Sequence, residues 1–181
     1  MKFAITAGHS NSEPGNMGGG LREADLMDGL GHIVALKLRA LGHEVLEDGP
    51  KGENWPLERA AQLVAQVDLA VELHTNAAAS QFAKGVEVVA RGKHKALAQS
   101  LAQALASTIG TTLRQDGGFY EAEKHRKDRG WRAQALFVRA GGLIVECFFQ
   151  TNPTELAIFQ TKTWLVAEAI AQALHSEANS G

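Results

Sequence analysis

Leu143-Ile-Val-Glu-Cys-Phe-Phe149 decides the fold of this 181-residue chain. The run is apolar at odd and even positions alike. A strand of that kind needs cover on both faces, as in the middle of a parallel sheet. Glu146 interrupts it. A carboxylate buried there is costly unless it is paired, metal-linked or protonated. Burial also raises a carboxyl pKa, which makes Glu146 a candidate proton carrier.

Two more short apolar runs lie upstream, Lys2-Phe-Ala-Ile-Thr-Ala-Gly-His9 and Asp68-Leu-Ala-Val-Glu-Leu-His74. Each reads as a strand that delivers an imidazole at its carboxyl end, where ligands collect in open α/β sheets. Glu23 follows a loop, residues 8–21, rich in Gly, Ser and Asn, which can fold it back beside His9. His9, Glu23 and His74 together supply three ligands for one divalent metal. Two His and one carboxylate leave a fourth tetrahedral position open, the arrangement of a catalytic zinc site. Taken singly, Glu23 would be a helix-start carboxylate favoured by the dipole, and either histidine an ordinary polar residue. The combination carries the reading. Glu72 stands two residues before His74 and shares its face of the strand. It can orient the imidazole, join an ion pair or compete as a base.

Between these runs the pattern alternates. It predicts a helix over 22–41 stopped by Gly42, a short strand over 43–47, and a helix from Pro56 to about Gln66. A strand over 85–91, a helix over 93–109 and a long irregular loop over 115–130 come next. Two late strands, at about 134–139 and 142–149, are joined by Gly141. A last helix covers about 160–175, and the tail 176–181 frays. The expected fold is α/β, a single domain with a largely parallel, mixed central sheet and helices on both faces, its core at about 2–175.

Composition sets limits. At 181 residues the chain holds one domain with a full core. A formal net charge of −2 gives no basic field for nucleic acid. The basic cluster Lys124-His-Arg-Lys-Asp-Arg129 reads as a solvated loop, with His125 as a possible substrate contact. Cys147 is the only cysteine, so no intrachain disulfide forms, and its apolar setting marks an inert buried thiol. No apolar stretch approaches the roughly 20 residues of a membrane helix. The amino-terminal residues lack the apolar core of a secretory signal.

Gly8-His9, Glu23, Leu73-His74-Thr75-Asn76 and Val145-Glu146-Cys-Phe-Phe-Gln-Thr-Asn152 now form a set in order. In that set the chain resembles the zinc-dependent N-acetylmuramoyl-L-alanine amidases that cleave peptidoglycan. Weaker echoes are Leu57-Glu-Arg59-Ala60, Gly85-Val86-Glu87, Asp128-Arg129-Gly130 and Val138-Arg139. Order and spacing hold over residues 2–175. The departures are Thr6-Ala7 where the family has Asp-Pro, Glu72 where it has Ser, and Cys147 where it has Gly; none removes a ligand.

The resemblance implies that His9, Glu23 and His74 bind one Zn²⁺ and that Glu146 is the catalytic carboxylate. Glu72, Asn76, Arg129 and Arg139 would support a ligand or touch substrate. The bond cut joins N-acetylmuramic acid to L-alanine, and Glu72, as a second carboxylate, would raise the pKa of Glu146. The partner is peptidoglycan, with no nucleic acid, no stable membrane association and a monomer favoured. The setting resembles that of a single-domain phage or prophage endolysin. Such an enzyme is made in the cytoplasm without a signal peptide and reaches the wall in the periplasm once the membrane is breached. Many exported relatives insert a regulatory helix between the second histidine and the catalytic Glu, and 75–145 shows only one clear helix. Two other readings stand beside this one. A zinc carboxypeptidase on free peptides would need an Arg129, Arg132 or Arg139 clamp. A zinc-containing wall-binding module would be non-catalytic.

Overall fold

The computed structural model describes residues 1–49, 53–122 and 131–180, with 131–135 described as backbone only. In chain order the elements are β1 (Lys2–Ala7), β2 (Met17–Gly18), β3 (Leu21–Arg22), α1 (Glu23–Ala40) and β4 (Glu44–Glu47). Then come α2 (Leu57–Ala60) with a 3₁₀ helix over Ala61–Gln66, β5 (Leu69–Asn76), β6 (Glu87–Ala90) and α3 (Lys95–Ile109). The last are β7 (Phe119–Glu121), α4 (Trp131–Ala140), β8 (Leu143–Phe149) and α5 (Pro153–Ala178).

Six strands form one sheet in the order β4-β1-β5-β8-β6-β7. Every pair is parallel except β6 with β8. The expected largely parallel, mixed sheet with helices on both faces is what the chain forms. β2 and β3 make a separate small hairpin inside the loop that leads to Glu23.

Alternation along the strands splits the core in two. Phe3, Ile5, Val71, Leu73 and Val145 point to the larger layer, packed against Leu30 and Val34 of α1, Leu101 and Leu105 of α3, and Phe159 and Ile170 of α5. Ala4, Ala70, Val89 and Ile144 point the other way, under Leu63, Phe137 and Val138. That second layer is short. Beyond it the same face continues as Glu72 and His74 on β5, Glu146 on β8 and Glu87 on β6. The apolar cover ends where α2 and α4 end, and a polar floor begins.

Four expectations need correction. The segment expected as an irregular loop over 115–130 carries β7 at Phe119–Glu121, paired in parallel with β6 at the edge of the sheet. Residues 134–139 are not a strand but part of α4. There Phe137 and Val138 are buried while Leu136, Arg139 and Ala140 are exposed, an adjacent-pair pattern that fits a helix and no period-2 strand. α4 is also a second helix between His74 and Glu146. Finally, α5 begins at Pro153 rather than near 160 and runs to Ala178, so the first half of the expected fraying tail, 176–178, is helical. Asn152 caps it, its side-chain oxygen accepting from the Thr154 and Glu155 N–H groups, with Pro153 at the first turn. Among the described residues, no helix is long and apolar enough to cross a membrane.

Candidate metal centre

His9 lies just past β1. The ladder carries on one residue, with Gly8 N–H donating to Leu73 O at 2.7 Å. The chain then turns sharply, and His9 takes a left-handed φ of 71°. Gly8 leaves no room for a side chain: a Cβ there would lie 2.2 Å from the His74 ring. The return loop is equally close. Gly15, at φ 75°, passes so near that a Cβ would meet the His9 ring at 2.4 Å and the Glu23 carboxylate at 2.6 Å.

Glu23 is the first residue of α1 and is fully buried. One carboxylate oxygen, Oε1, accepts from Thr75 N–H at 2.7 Å and faces His74 Nδ1 at 3.1 Å. The other, Oε2, accepts from Asn16 N–H at 2.9 Å and faces His9 Nε2 at 3.3 Å. The two imidazoles meet edge to face, centroids 5.2 Å apart. One ligand atom from each of the three residues lies within 4.8 Å of the other two. Two imidazole nitrogens and a carboxylate oxygen on rigid elements are a donor set that fits Zn²⁺. Burial pushes the Glu23 carboxyl up, but His74 and His9 outweigh it and hold it well below the usual carboxylate range. Burial likewise opposes charge on His74, yet Glu23 and Glu72 hold its pKa well above the ordinary value in the metal-free protein.

Glu146 sits in cross-strand register with His74 on one side and Glu87 on the other. It is 5% exposed, so the sheet interior surrounds it. Burial first, then the like charges of Glu23 and Glu87, push its pKa up to about 7 against the pull of His74. The raising charges are therefore those of Glu23 and Glu87, whereas Glu72 was the expected one. Glu72 is turned to His74, its Oε1 at 2.9 Å from Nε2. Cys147 points into the opposite layer, where burial pushes its thiol up.

These groups line a cleft of about 420 Å³. Its far wall is Trp55, Pro56 and Leu57, and Arg59 stacks on the Trp55 ring at 3.7 Å. Asn76 lines the cleft, and its side-chain amide donates to Glu87 Oε1 at 2.7 Å. Arg139 does not: it is exposed on α4. Arg129 and His125, with the whole basic cluster, lie outside the described residues, as does the Arg132 side chain. Among the described residues no Lys or Arg lines the cleft.

Several supporting residues were missed by sequence reasoning. Asn16 and Trp55 carry no local pattern that marks them. Glu155 does have one, since Asn152-Pro-Thr-Glu155 is a helix-start signature. Its buried carboxylate accepts from Gly85 N–H at 2.9 Å and Phe149 N–H at 2.7 Å, tying α5 to the end of β8 and to the segment before β6. Gln150 bonds the Thr75 hydroxyl at 2.8 Å and Leu21 O at 2.8 Å, so it clamps the hairpin loop to the sheet behind the ligands.

Comparison with known proteins agrees with this fold. Residues 4–176 match the family model of N-acetylmuramoyl-L-alanine amidases. Among solved structures, a Neisseria meningitidis protein described as an N-acetylmuramoyl-L-alanine amidase is 38% identical, covers 99% of this chain and 97% of its own, and superposes at a TM-score of 0.88. The N-acetylmuramoyl-L-alanine amidase of Clostridium difficile 630 shares the fold at 24% identity, over 99% of this chain and 97% of that one, with a TM-score of 0.81. The catalytic domain of the CD27L endolysin, which targets Clostridia difficile, shares it at 20% identity, over 97% of each chain, with a TM-score of 0.69. No curated protein matches the chain.

Proposed function

This chain belongs to the N-acetylmuramoyl-L-alanine amidase family, and from that premise we propose how it cuts peptidoglycan: with one zinc ion held by His9, Glu23 and His74, and with Glu146 as the proton carrier. The observation that carries the proposal is the Glu23 carboxylate set between two strand-end imidazoles, with Glu146 one strand over in register with His74.

Zinc bound there supplies Lewis acidity to the scissile carbonyl and the attacking water. The chain's own residues do the rest. Backbone N–H groups of Thr75 and Asn16 hold both Glu23 oxygens, so that ligand cannot swing. Glu146, kept near neutral pKa by burial, accepts a proton from the water and returns it to the departing nitrogen of L-alanine. The wall of Trp55, Pro56 and Leu57 gives the cleft an apolar side opposite its acidic floor.

The setting we favour is lytic release onto the wall. In support, the described part of the segment between Ala77 and Glu146 contributes nothing to the cleft lining, and both α3 and α4 pack on the sheet instead. Of the three arginines a carboxypeptidase clamp could use, Arg139 is exposed on α4 and does not line the cleft, while Arg129 and the Arg132 side chain lie outside the described residues.

Digestion of purified peptidoglycan tests the proposal. It should release stem peptides with a new L-alanine amino terminus and leave glycan strands uncut; new reducing sugar ends would overturn it. Glu146→Gln should keep its zinc and its fold while turnover falls about 10²–10⁴-fold. Added from outside, the enzyme should lyse Gram-negative cells only after their outer membrane is permeabilised.

A further inference from the structure

We propose that Glu72 is a positioning residue that fixes the tautomer of His74, holding the proton on Nε2 so that Nδ1 offers its lone pair to the metal. The proposal rests on the zinc-amidase reading of the site and deepens it. Glu72 is 2% exposed, and its Oε1 lies 2.9 Å from His74 Nε2. The opposite nitrogen, Nδ1, faces Glu23 Oε1 at 3.1 Å, on the side where His9 also presents its ring. A neutral imidazole has one N–H and one lone pair. The carboxylate of Glu72 accepts only, so it selects the N–H on Nε2, and the lone pair is left on the side shared with Glu23 and His9.

The arrangement is built into the strand. Residues 72 and 74 project from the same face of β5, and the edge of the His74 ring turned from Glu23 reaches back over residue 72. A carboxylate behind a ligating histidine fixes the ring and makes it a stronger donor. The same geometry separates the two floor carboxylates. Glu72 is engaged with the ligand itself, whereas Glu146 lies one strand away, in register with His74.

The first measurement needs no variant. Nitrogen-15 NMR of the imidazoles in zinc-loaded wild-type protein should show His74 protonated at Nε2. Protonation at Nδ1 overturns the proposal. The second is zinc affinity by chelator competition in Glu72→Gln and Glu72→Leu. The amide oxygen of Gln still accepts the Nε2 proton, so Glu72→Gln should stay close to wild type, while Glu72→Leu should bind zinc about 10–100-fold more weakly. A folded Glu72→Leu protein with wild-type affinity overturns the proposal. A Glu72→Gln protein with full zinc affinity and no turnover also overturns it, and makes Glu72 the proton carrier. Wild-type protein that takes up no zinc overturns the metal reading itself, and the tautomer assignment falls with it.

Discussion

The ligand cluster depends on atoms that are not there. At Gly8 even one methyl group would collide with the His74 ring. Gly8→Ala should therefore displace that ring by the better part of an ångström and cost about 10²-fold or more in turnover, with weaker zinc retention, while the rest of the sheet stays folded. Turnover and zinc content of the purified variant check this. The pH profile reports a different residue. As the proposed proton carrier Glu146 acts from its carboxylate form, so kcat/KM should fall as pH drops through its pKa, which burial pushes up to about 7 without metal. A bound cation would take the place of the positive charge on His74, which ligates as the neutral imidazole, and draw that value down in the same sense, so the acidic limb of the loaded enzyme should lie at or below 7. Glu87 pushes the other way, as a like charge in register with Glu146. Glu87→Gln should move the acidic limb to lower pH, and an unmoved limb would show that the two carboxylates do not interact. At this scale the sequence was highly legible: His9, Glu23, His74 and Glu146 all converge, because an imidazole at a strand end and a carboxylate inside an apolar run are costly without a purpose. The cleft's far wall was not legible, since Trp55 looks like any aromatic until the fold brings it opposite His74.

Elements were legible where length and period agreed. β1, β5 and β8 and the helices α1 and α3 lie within a residue or two of their expected spans. α4 was misread because Gln134 to Arg139 is short, apolar and flanked by glycine, which a buried strand and a helix share. What separates them is tertiary: Gly142 packs flat against the Phe137 ring, and a Cβ there would approach it to 2.3 Å, so the chain turns from α4 straight into β8. The end of β4 carries a second buried carboxylate whose effect is on stability. Asp48 is 7% exposed and accepts the Ala7 N–H at 3.1 Å, bracing β1 just before Gly8 and His9. Burial, with the like charges of Glu72 and Asp28 adding to it, pushes its pKa up to about 8. Folding therefore favours the protonated acid. The stability this confers is complete below the ordinary carboxylate pKa of about 4 and is lost as pH rises toward 8. Asp48→Asn keeps an oxygen for Ala7 and removes the titration. Melting curves should show the variant gaining on wild type as pH rises from 4 to 8, with no gain at pH 4.

For the whole molecule, a metal held at this site would be a tie between distant parts. His9 follows β1, Glu23 opens α1 and His74 ends β5, so an ion bound by all three joins segments that separate on unfolding. Free zinc at 100 times its dissociation constant should stabilise the fold by about 2.7 kcal/mol. For a chain of this size that is a rise in Tm of roughly 5–10 °C, reversed by chelation; a Tm indifferent to zinc would mean that the ion does not bind the native state through these residues. Strand order adds one more consequence. β8 is the last strand in the chain, yet it lies between β5 and β6 and brings Glu146 into the floor. Its neighbours are made some seventy and fifty residues earlier, and until it arrives they have nothing to join them. On the ribosome the molecule is thus a set of unfinished halves, and any product that stops short of residue 143 is inert. The order of synthesis therefore withholds Glu146 and the joining strand together, so the floor of the cleft and the sheet beneath it are completed in one step.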